Sequence, residues 1–329
     1  MLESRSVEKP AAGVFRRKTL LLDLLAVAVP VVGFAFGINI FANELLLVYM
    51  MVYVALAHGI NISYGFTGYL PFGYFGFFGA GAYGATLAIL DLHVPALIGM
   101  LFGGVAGVLF GLLLLPLFRL RGAYFAIATL AAGEAIADIV ANPSLQSVTN
   151  GPYGENLASV YSSGQIYVAA LVFMALALLA VVLVKNSRFG LALRAIKESE
   201  YSAAMAGVNV VRMRSLAWVI AAAIAGVGGA IFGWATTVFY PSAVFDSAIS
   251  VFAIVFALFG GTGSVWGPTL GTVLLYGLYS AVGLSSPQYF QLIYGLAIVV
   301  LVLFAPRGLV GFGRAAGRMI SLRRAGANG

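Results

Sequence analysis

Apolar positions dominate long stretches of this chain, and polar ones are confined to short intervals between them. Runs of about 20 hydrophobic residues, each sufficient for a helix to cross a hydrocarbon core of about 30 Å, recur from the first tenth of the chain almost to its end. They predict helices at approximately 20–37 and 45–62, a glycine-rich third segment at 64–90, and a fourth between the polar turn at 91–95 and Arg119. A fifth is predicted at 122–141, a sixth leading to Lys185, and four more at 215–239, 247–261, 268–284 and 289–305. The fold class is all-α polytopic membrane protein with about ten transmembrane segments, one or more of them broken or re-entrant.

Three stretches depart from a plain apolar helix. In YGFTGYLPFGYFGFFGAGAYGATLAIL, residues 64–90, Gly65, Gly68, Pro71, Gly73 and Gly76 make the first half a poor helix. Irregular backbone at membrane depth must be satisfied by protein or by a water-filled cavity, so Gly68, Pro71, Gly73 and Gly76 are candidates for lining a pathway; close helix contact through small residues is an equal reading. The fourth helix carries Gly99, Gly103, Gly107 and Gly111, a small-xxx-small ladder that supplies close approach and no recognition chemistry. In the fifth, Glu134 and Asp138 lie four residues apart on one face, with no Lys or Arg at membrane depth to pair them. They are expected to be protonated, hydrogen-bonded or turned to a hydrated cavity, either as part of a route or as buried structural carboxyls.

The third stretch, 185–214, is a polar and basic island, KNSRFGLALRAIKESEYSAAMAGVNVVRMR, holding one third of the chain's Lys and Arg. On one helix over 191–207, Arg194, Lys197, Glu198, Tyr201 and Met205 share a side. Ala192, Ala195, Ile196, Ala203, Ala206 and Gly207 share the other. Arg194 and Glu198 are spaced for an i, i+4 pair, and Gly207 suits a left-handed cap. The island reads as a docking element for a soluble partner; a helix drawn onto lipid headgroups by its charge is the alternative.

Composition agrees with the pattern: hydrophobic residues make up 62% and charged residues 9% of the chain, too little polar surface for a soluble shell of 329 residues. The net charge of +7 is segregated rather than spread. Lys and Arg fall in an N-terminal group (Arg5, Lys9, Arg16, Arg17, Lys18), Arg119 with Arg121, the island, and a C-terminal group from Arg307 to Arg324. Glu44, Asp91, Glu155 and Asp246 lie in the intervening connections, which hold no Lys or Arg. The positive-inside rule therefore places both termini and the island in the cytoplasm and argues against a nucleic-acid partner. A basic tail at 1–19, a membrane domain at 20–305 containing the loop 185–214, and a second basic tail at 306–329 are expected, with the first helix retained rather than cleaved. With no cysteine, two histidines and no Gly-Lys dipeptide, the chain offers no metal cluster, no cofactor site, no nucleophile–base pair and no P-loop.

The island resembles the cytoplasmic EAA-type coupling loop of ABC importer permeases, and the run from Ser187-Arg188-Phe189-Gly190 through Arg194-Ala195-Ile196 to Ala203 and Gly207 is similar to that of branched-chain amino acid permeases of the LivM type. Further matches are the glycine-rich stretch 68–83, RLRGAYFAIATL at 119–130, TNGPYG at 149–154, GGTGSVWGPTLG at 260–271 and PRGL at 306–309. Ala204 stands where the family often has an acidic residue, and YLPF at 69–72 where it often has a Ser-containing turn. The resemblance implies a permease subunit, not an enzyme, in a prokaryotic inner membrane. Arg194, Ile196, Glu198, Glu200, Ala203 and Gly207 would meet the ATPase. The implied partners are a second homologous permease, two ABC ATPase subunits and an extracytoplasmic solute-binding protein, besides membrane lipid. The implied cargo is leucine, isoleucine and valine, although relatives also carry other amino acids, urea or short amides. From the residues alone, an ion-coupled secondary transporter of a small polar solute stays open, motivated by the broken segment and the paired carboxylates.

Overall fold

The computed structural model describes residues 12–38, 43–285 and 295–296. Eleven helices carry the architecture among these residues. The first six are α1 (Ala12–Gly37), α2 (Glu44–Ile60), α3 (Tyr74–Leu90), α4 (Ala96–Leu113), α5 (Ala123–Val140) and α6 (Ser163–Asn186). They are followed by α7 (Arg188–Glu198), α8 (Glu200–Met205), α9 (Val210–Thr236), α10 (Ser247–Gly260) and α11 (Trp266–Ser285). The C-terminal basic tail, residues 1–11 of the N-terminal one and most of the predicted tenth segment at 289–305 fall outside the described residues, whereas 12–19, expected as tail, belong to α1. Six helical stretches are long and apolar enough to cross a membrane; Leu21–Gly37 and Tyr74–Leu90 are apolar but shorter. The chain is thus a multi-pass, all-α membrane protein, with six qualifying spans among the described residues against the ten predicted.

The core forms where α9 crosses α3 and α4, and glycine makes the crossing possible. A Cβ at Gly103 would stand 2.7 Å from the Ala230 Cβ and 2.7 Å from the Gly81 carbonyl; one at Gly107 would stand 2.7 Å from the Ala222 carbonyl. Gly81 meets the backbone of Gly226, and Gly229 that of Phe78, with no room for any side chain. Lower on the same face Gly111 abuts Ala222, and at the other end Gly99 abuts Ile89. The ladder of α4 therefore lies against α3 and α9, where dispersion between closely approached backbones replaces the hydrophobic effect that lipid removes. Aromatic rings fill the remaining space: Trp218 contacts Phe77, Phe118 and Phe125 at centroid distances of 4.9, 5.4 and 5.6 Å and donates its indole N–H to the Gly111 carbonyl.

Around this core α2 packs on α6 and α9, α10 pairs with α11, and α1 lies on α6. A two-residue antiparallel ladder, β1 (Glu155–Asn156) with β2 (Val238–Phe239), joins the long connection after α5 to the end of α9, with Glu155 opposite Phe239. At the other end of the bundle Arg121, Lys185 at the end of α6, Lys197 of α7 and Arg214 at the start of α9 lie in segments that contact one another or the turn after α2, so these basic groups gather on one side.

The island differs from the single helix predicted over 191–207. Ser199 adopts an extended conformation (φ −157°, ψ 111°) and its side chain accepts from the Ser202 N–H, so it ends α7 and caps α8. A serine that offers an N-terminal cap stabilises the break more than the continuous helix, and the two short helices no longer share one wheel. The predicted Arg194–Glu198 pair is replaced as well: the Arg194 guanidinium donates to the Lys185 carbonyl and lies 5.7 Å from the centre of the Phe66 ring.

Candidate functional site

The basic end is built from α7 and α8, two helices that leave the bundle and fold back on it. Ile196 and Ala203 are buried against the bundle with Leu193, so two of the six predicted docking residues face inward. Glu200 also turns inward: one carboxylate oxygen lies 2.5 Å from Arg214 Nη1 and the other 3.3 Å from Arg121 Nη2. Arg194, Glu198 and Gly207 face outward, and Gly207 (φ +84°) ends α8 in the left-handed region. The outward face also presents Leu191, Tyr201 and Met205, which are 68, 76 and 74% exposed. On a continuous wheel Tyr201 and Met205 read as part of a polar side; the break at Ser199 places them in an apolar patch instead.

The same segment grips the broken part of the membrane domain. α2 ends in a π-helical turn, Asn61–Gly65, a geometry that concentrates at functional positions. Lys197 Nζ donates to the Gly65 carbonyl at 2.8 Å and sits 5.6 Å from the centre of the Tyr64 ring. Burial lowers the Lys197 pKa from the ordinary lysine value, against the opposing influence of Glu198. Asn61 closes the other side, donating to the Ser264 carbonyl at 2.8 Å and accepting from the Gly263 N–H at 2.7 Å. One asparagine thereby ties the π-turn to the break between α10 and α11, where Gly261 and Gly263 have φ of +106° and +78°. Asp23 of α1, which the reading of intramembrane carboxylates missed, is buried and paired with Lys185 at the foot of α6, with Asn186 on its second oxygen.

Of the four predicted pathway residues in 64–90, the structure separates one from three. Gly68 (φ +84°) lines an apolar groove of about 630 Å³ with Tyr64, Tyr69, Phe72, Arg121 and Phe125. Pro71 is buried; Gly73 lies directly on the Thr129 carbonyl; and a Cβ at Gly76 would stand 2.8 Å from Phe110 and 3.1 Å from the Gly133 Cα. Gly73 and Gly76 therefore make close helix contacts within the chain, as the second of the two readings for this stretch describes.

Glu134 and Asp138 are exposed on the surface of this chain, and neither makes an ion pair or hydrogen bond among the described residues. They share a groove of about 370 Å³ with Pro241, Phe245 and Asp246. Neither carboxyl is buried within this chain. Their helix is the least covered of the qualifying spans: 22% of Ala123–Val140 is buried, against 72% of Glu44–Gly65. The exposed face of α4, by contrast, is a row of Leu97, Leu101, Val105, Leu109 and Leu112, suited to hydrocarbon. A face with two carboxylates is not, since ionisable groups in membranes turn to protein or water.

Comparison with known proteins gives one consistent family. The family described as "Branched-chain amino acid transport system / permease component" matches residues 43–302. The high-affinity branched-chain amino acid transport system permease protein LivM of Salmonella typhimurium is 29% identical over 298 residues, covering 79% of this chain and 68% of that relative. LivH of Escherichia coli is 29% identical over 174 residues, 51% of this chain and 55% of that protein. A probable branched-chain amino acid transport permease LivH of Methanocaldococcus jannaschii is 25% identical over 300 residues, 80% of this chain and 90% of its own length.

Proposed function

The chain belongs to the family of branched-chain amino acid transport system permease components, and from that membership we propose that it is the membrane-spanning permease subunit of an ABC importer. It moves leucine, isoleucine, valine or a related amino acid inward across a prokaryotic inner membrane, using ATP hydrolysed on separate ATPase chains. As a permease component it makes and breaks no bonds in its cargo. Its partners in this reading are two ATPases, a second homologous permease and an extracytoplasmic solute-binding protein.

The observation that carries the proposal is the face of α7 and α8: Leu191, Tyr201 and Met205 stand exposed among Arg194 and Glu198, beside the basic groups that the positive-inside rule assigns to the cytoplasm. Arg188, Arg194 and Arg212 are exposed in the same segment while Arg214 is buried and Lys197 Nζ reaches the Gly65 carbonyl, so large apolar side chains share the outer face with cations rather than leaving it to them. An apolar patch rimmed by charge suits a soluble protein partner. The uncovered face of α5 suits the second permease, with Glu134 and Asp138 at the edge of a hydrated route between the two chains.

The test is reconstitution of the chain with its partner permease, ATPases and binding protein in vesicles, with leucine, isoleucine and valine as probes. ATP-dependent accumulation that requires all components is expected. Accumulation by the permease alone, driven by an ion gradient, would overturn the reading in favour of secondary transport.

A further inference from the structure

Arg214 stands in the first turns of α9 with its side chain 7% exposed, yet it has a single carboxylate partner among the described residues, Glu200 of α8. The guanidinium carbon lies 4.4 Å from the centre of the Tyr69 ring and 5.7 Å from that of Phe118; neither Nε nor Nη1 makes an aligned hydrogen bond, so Nη1 meets Glu200 as a close ion pair. Tyr69 in turn packs edge-on against Phe125 at 5.2 Å and Phe118 at 5.7 Å. Tyr69, Phe125 and Arg121 are walls of the groove that opens at Gly68, and Arg121 is held by the second oxygen of Glu200. One carboxylate on the outlying helix α8 therefore meets two cations: the buried Arg214, which braces the aromatic wall, and Arg121, which borders the groove but is 79% exposed and so only weakly held.

We propose that the Glu200–Arg214 pair is the positioning link through which movement of the outlying segment α7–α8 changes the width of the groove at Gly68–Phe72. The proposal rests on the reading that α7 and α8 dock the ATPase. A buried cation tolerates loss of its counter-charge poorly, so Arg214 follows Glu200 when α8 shifts rather than staying behind unpaired. Tyr69, held on the flat face of the guanidinium, moves with it. Gly68, at φ +84°, and the irregular residues up to Gly73 give Tyr69 the backbone freedom that an α-helix would deny. By linkage the coupling runs both ways, so an occupied groove biases the orientation of α8.

The test uses the full transporter in vesicles and reads leucine carried per ATP hydrolysed. Glu200→Gln and Arg214→Lys are expected to lower that ratio at least tenfold, because hydrolysis no longer reaches the groove. Tyr69→Leu removes the aromatic face without touching the ion pair and is expected to lower it similarly; it decides the matter if either charge variant fails to assemble. A second readout is the fluorescence of Trp218, beside Phe118 and Phe125, in a Trp234→Phe, Trp266→Phe background. It is expected to change on adding ATP to the complex and to lose that change in Glu200→Gln. An unaltered ratio in all three variants, or uptake and hydrolysis falling in equal proportion, would overturn the link. Failure of the wild-type complex to take up leucine with ATP sinks the importer reading itself and is seen before any variant is made.

Discussion

At the scale of single residues, charge near the membrane boundary is handled by pairing, and each pair has a measurable consequence. Asp23 is the buried member of an ion pair with Lys185, and its second oxygen accepts from Asn186. Asp23→Asn should lower the stability of the detergent-solubilised protein by about 1.5–3 kcal/mol, the usual worth of hydrogen bonds to a charged group, read as a fall in midpoint in a thermal melt. Glu155 is the contrasting case. Burial in β1, with the Asp91 charge adding to it, raises its pKa above the ordinary glutamate value. A raised carboxyl pKa contributes stability that is present at acid pH and is lost as pH rises through the folded-state value. The wild type should therefore lose stability relative to Glu155→Gln as pH is raised from 4.5 or so toward neutrality, an effect seen by following hydrogen exchange of the β1–β2 ladder in both proteins. A gap that shrinks with rising pH would contradict the assigned direction.

At the scale of elements, the α3–α4–α9 crossing is governed by how closely backbones approach. Gly229→Leu or Gly103→Leu places a side chain where backbone and Cβ atoms already stand, and overpacking of this kind costs about 3 kcal/mol at the upper end of the usual range. Loss of the monodisperse peak in size-exclusion chromatography, or a strongly reduced melting midpoint, is the expected result. Gly164, where a Cβ would have no neighbour within 4 Å, should accept Ala with little change and serves as the control. The ladder of glycines in α4 was legible in the sequence because spacing of four on a helix has one geometrical meaning. The split of the island at Ser199 was not. Its helix-favouring neighbours read as one run, and the serine side chain's bond to the Ser202 N–H is an equally local choice that the contacts of Ile196 and Ala203 with the bundle help to select.

At the scale of the molecule, the face of α5 is the feature most in need of a partner. The chain contains no cysteine, so single substitutions there report without background. Ala135→Cys on α5, labelled with a thiol-attached photoactivatable cross-linker that inserts into any neighbouring side chain, should capture the second permease in vesicles holding the complex, while Leu101→Cys on the leucine row of α4 should not. Absence of any cross-link from α5, with uptake intact, would move the inter-permease surface elsewhere. Glu134 and Asp138 were recognised in the sequence as an unpaired couple on one face of a helix; their exposure toward Asp246 and a shared groove depends on α5 having few neighbours within the chain.

Sequence by itself determined the all-α membrane class, the clustering of the basic residues, the glycine contact face of α4 and the island as an element apart. Hydrophobic run length, charge position and helical spacing are local quantities that need no fold to be read. Only the tertiary structure decided that Gly73 and Gly76 pack while Gly68 opens a groove, that Asn61 bridges two breaks 202 residues apart in the chain, and that Glu200 points inward to Arg214. Each of these depends on which distant backbone lies within a few ångströms. That proximity is set by the packing of whole helices and leaves no local periodicity for a sequence to display.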